Sequence, residues 1–179
     1  MGSGARGGAG GRSPDGPDPA VEATIRAAVE RIIPSDDGLP GAREAGTYDF
    51  VADEAISRGA AGLQALAARA ALLDQAAAAA DPERLGARFV DLSPDQQDAV
   101  LLALETEGSA ALGWLVELTM EGFYGDPRHG GNRAGVSWEM IGFPGPTGGT
   151  GYEPPFGWYD ANEPNLPGLG PDGSSDPSR

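Results

Sequence analysis

From Pro19 to Tyr124, apolar residues return every three or four positions, the spacing of one helix face, and polar or glycine-containing breaks divide the pattern into five segments. Asp18 before Pro19 supplies an N-cap and a proline at the first helical position. Val21, Ile25, Ala28, Val29 and Ile32 then share a face until Pro34 stops the helix. The run from Ser35 to Gly41 is turn chemistry, and a second stripe of Tyr48, Val51, Ala52 and Ala55 ends near Gly59. The spacing predicts a third helix from Leu63 to Ala80, with Leu63, Leu66, Ala70 and Leu73 inward, closed by Asp81-Pro82. Ser93 and Gln96 form a capping box opening a helix with Val100, Leu101 and Leu104 on its inner face. Gly108 ends that helix. Ser109 caps a fifth, whose stripe reads Leu112, Leu115, Val116, Thr119, Met120 and Phe123. No alternating pattern of useful length occurs, so the expected fold is all-α, about five helices over 19–124 with a long irregular C-terminal arm.

The arm, residues 125–160, has a different character. Gly-Asp-Pro, Gly-Gly-Asn, Phe-Pro-Gly-Pro and Tyr-Glu-Pro-Pro-Phe steps oppose helix, yet the segment holds half of the chain's aromatic residues. Such rings need cover, either from the helices or from another polypeptide. Residues 1–18 and 161–179 are rich in Gly, Pro, Ser, Asp and Asn, a composition that predicts disorder at both ends.

Charge and composition narrow the function classes. There are 27 acidic against 12 basic residues, a formal net charge of −15, and every basic residue except His129 is arginine. A chain of that sign repels phosphate backbones, so no nucleic-acid partner is expected. Without cysteine it has no disulfide, thiolate metal site or iron–sulfur ligation. No apolar run approaches the roughly 18 residues of a membrane span.

His129 is the sole histidine and the first candidate for proton transfer, with Asp126 and Arg128 beside it. A catalytic histidine needs a partner in fixed geometry, however, and a glycine-rich loop better suits an interface or loop-ordering role. Arg128 and Arg133 flank Gly130-Gly131-Asn132, but glycine-rich anion cradles follow a strand and this segment follows a helix. Local turn bonds from Asp126 and Asn132, with the arginines pairing to acids, are therefore expected. The acids Asp36, Asp37, Glu44, Asp49, Asp53 and Glu54 lack calcium-loop spacing and are read as solvated faces, with no metal site.

Several landmarks carry a resemblance. Ile32-Ile33-Pro34, Asp36, Leu39-Pro40-Gly41-Ala42, Ala45-Gly46 and Leu92-Ser93 precede the string from Phe123 to Arg133, followed by Trp138 and Ile141-Gly142-Phe143-Pro144-Gly145-Pro146. Over about Pro19 to Pro146 the chain resembles the small-subunit family of gluconate 2-dehydrogenase, its subunit 3. The resemblance implies a non-catalytic companion of a glucose-methanol-choline type flavoprotein that oxidises sugars, sugar acids or glycosides. The FAD is then in the partner and no cofactor is on this chain; in relatives a cytochrome subunit often accepts the electrons.

Relatives usually carry a twin-arginine signal. No Arg-Arg pair or apolar stretch precedes the first helix here, so the expected location is cytoplasmic, or extracytoplasmic if such a signal has been removed. The partner interface is expected at Phe123, Tyr124, Asp126, Arg128, His129, Asn132, Arg133, Trp138, Phe143, Phe156 and Trp158. Trp138 and Ile141 can equally complete the chain's own core. The alternatives are a stand-alone enzyme using His129, Asp126 and Arg128, and a transient chaperone for the flavoprotein.

Overall fold

The computed structural model describes residues 16–81 and 86–143. Six α-helices run in the order α1 (Pro19–Ile32), α2 (Thr47–Ser57), α3 (Gly59–Ala80), α4 (Pro94–Thr106), α5 (Ala110–Tyr124) and α6 (Val136–Met140), with 3₁₀ turns at Phe89–Asp91, Pro127–His129 and Arg133–Gly135. Among the described residues the β content is one isolated bridge between Asp36 and Leu39. The all-α expectation holds.

Local chemistry sets the helix ends. Asp18 Oδ1 accepts the Ala20 N–H at 2.8 Å, Ser93 and Gln96 complete a reciprocal capping box, and Ser109 accepts from the Leu112 N–H. Each cap satisfies a donor that the first turn of a helix leaves orphaned. Helix α3 starts at Gly59, four residues earlier than its apolar stripe suggests. Ala60 and Ala61 favour helix enough to extend it back to Gly59, and Gly62 makes the close crossing with α2 possible: a Cβ there would collide with the Ala55 carbonyl oxygen.

The core lies where α1, α2, α3 and α5 meet, with Ile25, Val29, Val51, Leu66, Leu115 and Phe123 all shut from solvent. The 3₁₀ turn adds Phe89, a core residue that periodicity did not reveal. Asp74 of α3 holds this turn: its Oδ1 accepts the Phe89 N–H at 2.9 Å and the Thr24 hydroxyl at 3.1 Å. Gln97 of α4 donates to the Phe89 carbonyl at 3.0 Å. Three helices are thereby tied to one buried ring, which as a phenylalanine contributes on the order of 2–3 kcal/mol by leaving water.

One expectation is corrected. Val116 and Met120 are exposed rather than inward, and Leu118 with Gly122 takes their place, because α2 packs on that side of α5. The fold also does not stop at Tyr124. Residues 125–143 return over the helices, so at least the first half of the arm is ordered by this chain's own contacts. Phe156 and Trp158, and the segments expected to be disordered at 1–15 and 161–179, lie outside the described residues.

Candidate partner-docking face

Helix α5 ends in a glycine, and the chain doubles back through bonds that can be followed one by one. Asp126 caps the 3₁₀ turn by accepting the Arg128 N–H at 2.9 Å, and both its oxygens take the Arg128 guanidinium. That guanidinium bond, with the N–H bond second, holds the Asp126 carboxyl down at about 2. His129 completes the turn with its N–H on the Asp126 carbonyl and remains exposed. Asp126 and Arg128 are thus occupied with each other on an open surface, an arrangement that orders a turn rather than activating a nucleophile.

Beyond it the loop presses against α5. A Cβ at Gly131 would collide with the Gly122 carbonyl oxygen, so only glycine permits that approach. Asn132 follows in the left-handed region, φ 45°, and is fully buried. Its amide donates to the Gly125 carbonyl at 2.9 Å and accepts the Ser137 N–H at 3.0 Å, closing both ends of the loop. Arg133 sends its N–H to the Ala45 carbonyl at 2.9 Å and its guanidinium to Asp49, reaching the start of α2.

Helix α6 then sets Trp138 beside the C-terminus of α5. The indole N–H donates to the Tyr124 carbonyl at 2.7 Å, and the Trp138 and Phe143 rings meet edge to face at 5.0 Å. The result is an apolar surface: Ile141 is 54% exposed, Phe143 43%, Met120 45% and Tyr124 39%. Met120 and Tyr124 continue to Val116 at four-residue steps along one side of α5. Val116 in turn lines a groove of about 500 Å³ between α4 and α5, with Leu101, Leu102 and Leu112.

The anticipated residues therefore separate. Tyr124, Arg128, His129, Arg133 and Phe143 are exposed, Asp126 and Trp138 are half-buried, and all seven lie on the segment that leaves α5. Phe123 and Asn132 are corrections: both are fully buried and support the face from beneath instead of lying on it. Val116, Met120 and Leu102 belong to the surface but were missed, because an apolar residue at helical spacing reads as core.

Among the described residues no group of three or more His, Asp and Glu is placed to hold a metal. Among the described residues no strand leads a glycine-rich turn into a helix. No described helix is long and apolar enough by itself to cross a membrane; α4 and α5 pass such a test only together and meet at 116°.

The family model for gluconate 2-dehydrogenase subunit 3 matches residues 19–145. No curated protein and no solved structure shows significant similarity to the chain. The matched stretch takes in all six helices and the loop that returns over α5, and on that match the chain belongs to the gluconate 2-dehydrogenase subunit 3 family, whose members act as small accessory subunits of FAD-dependent dehydrogenase complexes.

Proposed function

We propose that this chain is the non-catalytic small subunit of an oxidoreductase whose large subunit carries FAD and oxidises a sugar, a sugar acid or a glycoside. The observation that carries the reading is the apolar surface running from Val116 through Met120 and Tyr124 to Phe143, built by a loop the fold holds in place. Isolated exposed apolar residues are ordinary, but a contiguous set on a rigid, aromatic-rich support is the composition of an interface centre. Binding to the folded large subunit and not to its unfolded chain stabilises the flavin-loaded state by mass action. A permanent interface of this kind buries on the order of 2,000 Å² or more, so the contact extends beyond α5 and α6. Hydride transfer belongs to the partner.

Co-expression with an FAD-dependent large subunit tests the proposal. The expected result is a soluble yellow complex of equal stoichiometry through size exclusion, with little yellow protein when the large subunit is expressed alone. Met120→Arg should abolish co-elution while leaving the isolated small subunit folded, since the site is exposed. A large subunit that folds, binds FAD and turns over equally well alone would remove the basis of the proposal. A purified small subunit that turns over substrate unaided, and loses that with His129→Ala, would establish the enzyme alternative.

A further inference from the structure

Of the eight arginines among the described residues, seven lie within 4.0 Å of a carboxylate. Arg69 is the exception. In a chain with more than twice as many acids as bases, a lone arginine without an acid is a departure that chance placement does not favour. Its guanidinium lies over the Trp114 ring, 3.7 Å from the centroid, and Nη1 donates to the Ala65 carbonyl at 2.8 Å. Nε is buried and has no acceptor among the described residues. Desolvation, and then the like charge of Arg58, push the Arg69 pKa down, the direction opposite to that of Arg31 and Arg128 beside their acids.

The group borders a pocket of about 180 Å³ whose walls are Ala55, Ala61, Gly62, Ala65 and the indole of Trp114, with Arg58 at its edge. The volume and the small apolar walls suit the stem of one side chain with a charged tip. The Nε–Nη2 edge is the edge with which Arg31 grips both oxygens of Asp98 and Arg128 holds Asp126. On Arg69 no carboxylate among the described residues meets that edge.

We infer that this pocket is an anchor for a carboxylate, the side chain of an aspartate or glutamate of the large subunit, bound to the guanidinium of Arg69 with its stem against Trp114. The inference rests on the partner-subunit reading and adds a second contact to it. A free carboxylate is a poorer occupant: one half-exposed ion pair contributes little in water, whereas a side chain already positioned by a larger interface meets the guanidinium without a further loss of translational freedom. Trp114 and Val116 border the solvent face of α5 on opposite sides, so a partner lying along α5 reaches the apolar surface on one flank and Arg69 on the other.

The test uses the two-subunit complex with Arg69→Gln, Arg69→Met and Arg69→Lys small subunits, measuring affinity at low salt and at high salt and the melting temperature of each isolated variant. Arg69→Gln and Arg69→Met should weaken the complex on the order of 10- to 100-fold at low salt, and less at high salt, with only a small fall in melting temperature from the lost Trp114 stack and Ala65 bond. Arg69→Lys should fall between, because an ammonium lacks the planar fork and the stack. Wild-type affinity in the Gln variant, in a wild-type complex that does form, overturns the anchor and leaves the partner reading standing. A loss of affinity that is the same at both salt concentrations also overturns it, since the role is then packing on Trp114. A wild-type chain that binds no large subunit overturns both.

Discussion

The indole N–H of Trp138 donates to the carbonyl oxygen of Tyr124, so the last residue of α5 is capped by a side chain fourteen positions further on. The last carbonyls of a helix have no partner within it, and here one of them is satisfied by the ring that also supports Phe143. Trp138→Phe keeps the ring contact and removes the donor. The expected cost is about 1 kcal/mol in denaturant unfolding, with faster amide exchange confined to residues near the end of α5 and in α6. Unchanged exchange at Phe143, whose N–H bonds the Trp138 carbonyl, would argue against the cap.

Asn132 has the larger predicted effect. Replacement by alanine leaves the Gly125 carbonyl and the Ser137 N–H without their partners and places a β-carbon-only residue in the left-handed region. A loss of about 2–4 kcal/mol is expected by urea titration. Asn132→Asp should also destabilise, because a carboxylate can accept from Ser137 but cannot donate to Gly125.

Ala134 gives a prediction of opposite sign. It adopts φ 56° and is exposed, with no described side-chain bond to hold it there. Ala134→Gly should stabilise by about 0.5–1 kcal/mol, the strain relieved exceeding the entropy that glycine adds to the unfolded chain. A lower midpoint in urea would contradict it.

The Asp126 turn sets a pH dependence. Its carboxyl is depressed from 3.8 to about 2 by the Arg128 guanidinium and the Arg128 N–H. The folded value lies below the unfolded one, so the contribution of this turn is present above pH 3.8 and is lost as pH falls through about 2. Carboxyl carbon titration by NMR should find the midpoint near the lower value in the wild type and closer to the ordinary one in Arg128→Ala. An Asp126 midpoint unmoved by that substitution would rule out the ion pair as the cause.

What was legible in the sequence follows from which interactions are local. Asp18, Ser93 and Ser109 cap helices within three residues of themselves, and all three were readable. The inward stripe of α2 was readable for the same reason, its period being a property of the helix alone. Phe89 was not, because its backbone is held in the core by Asp74 and Gln97 reaching it from other helices. Val116 and Met120 lie on the flank of a broad apolar stripe, and only the docking of α2 on the other flank decides which side is covered. The site divides in the same way. The string from Phe123 to Arg133 was readable as a landmark of the family, but the burial of Phe123 and Asn132 depends on Gly131 meeting Gly122, a contact between segments that no spacing rule describes.

Arg133 fastens the returning loop to Ala45 and Asp49, residues more than eighty positions earlier. The platform beneath Trp138 and Phe143 therefore comes together only once the returning loop has met the start of α2. A protein that gripped this platform would meet it only on chains in which α2 and the returning loop are already joined, an inspection step that requires no additional machinery.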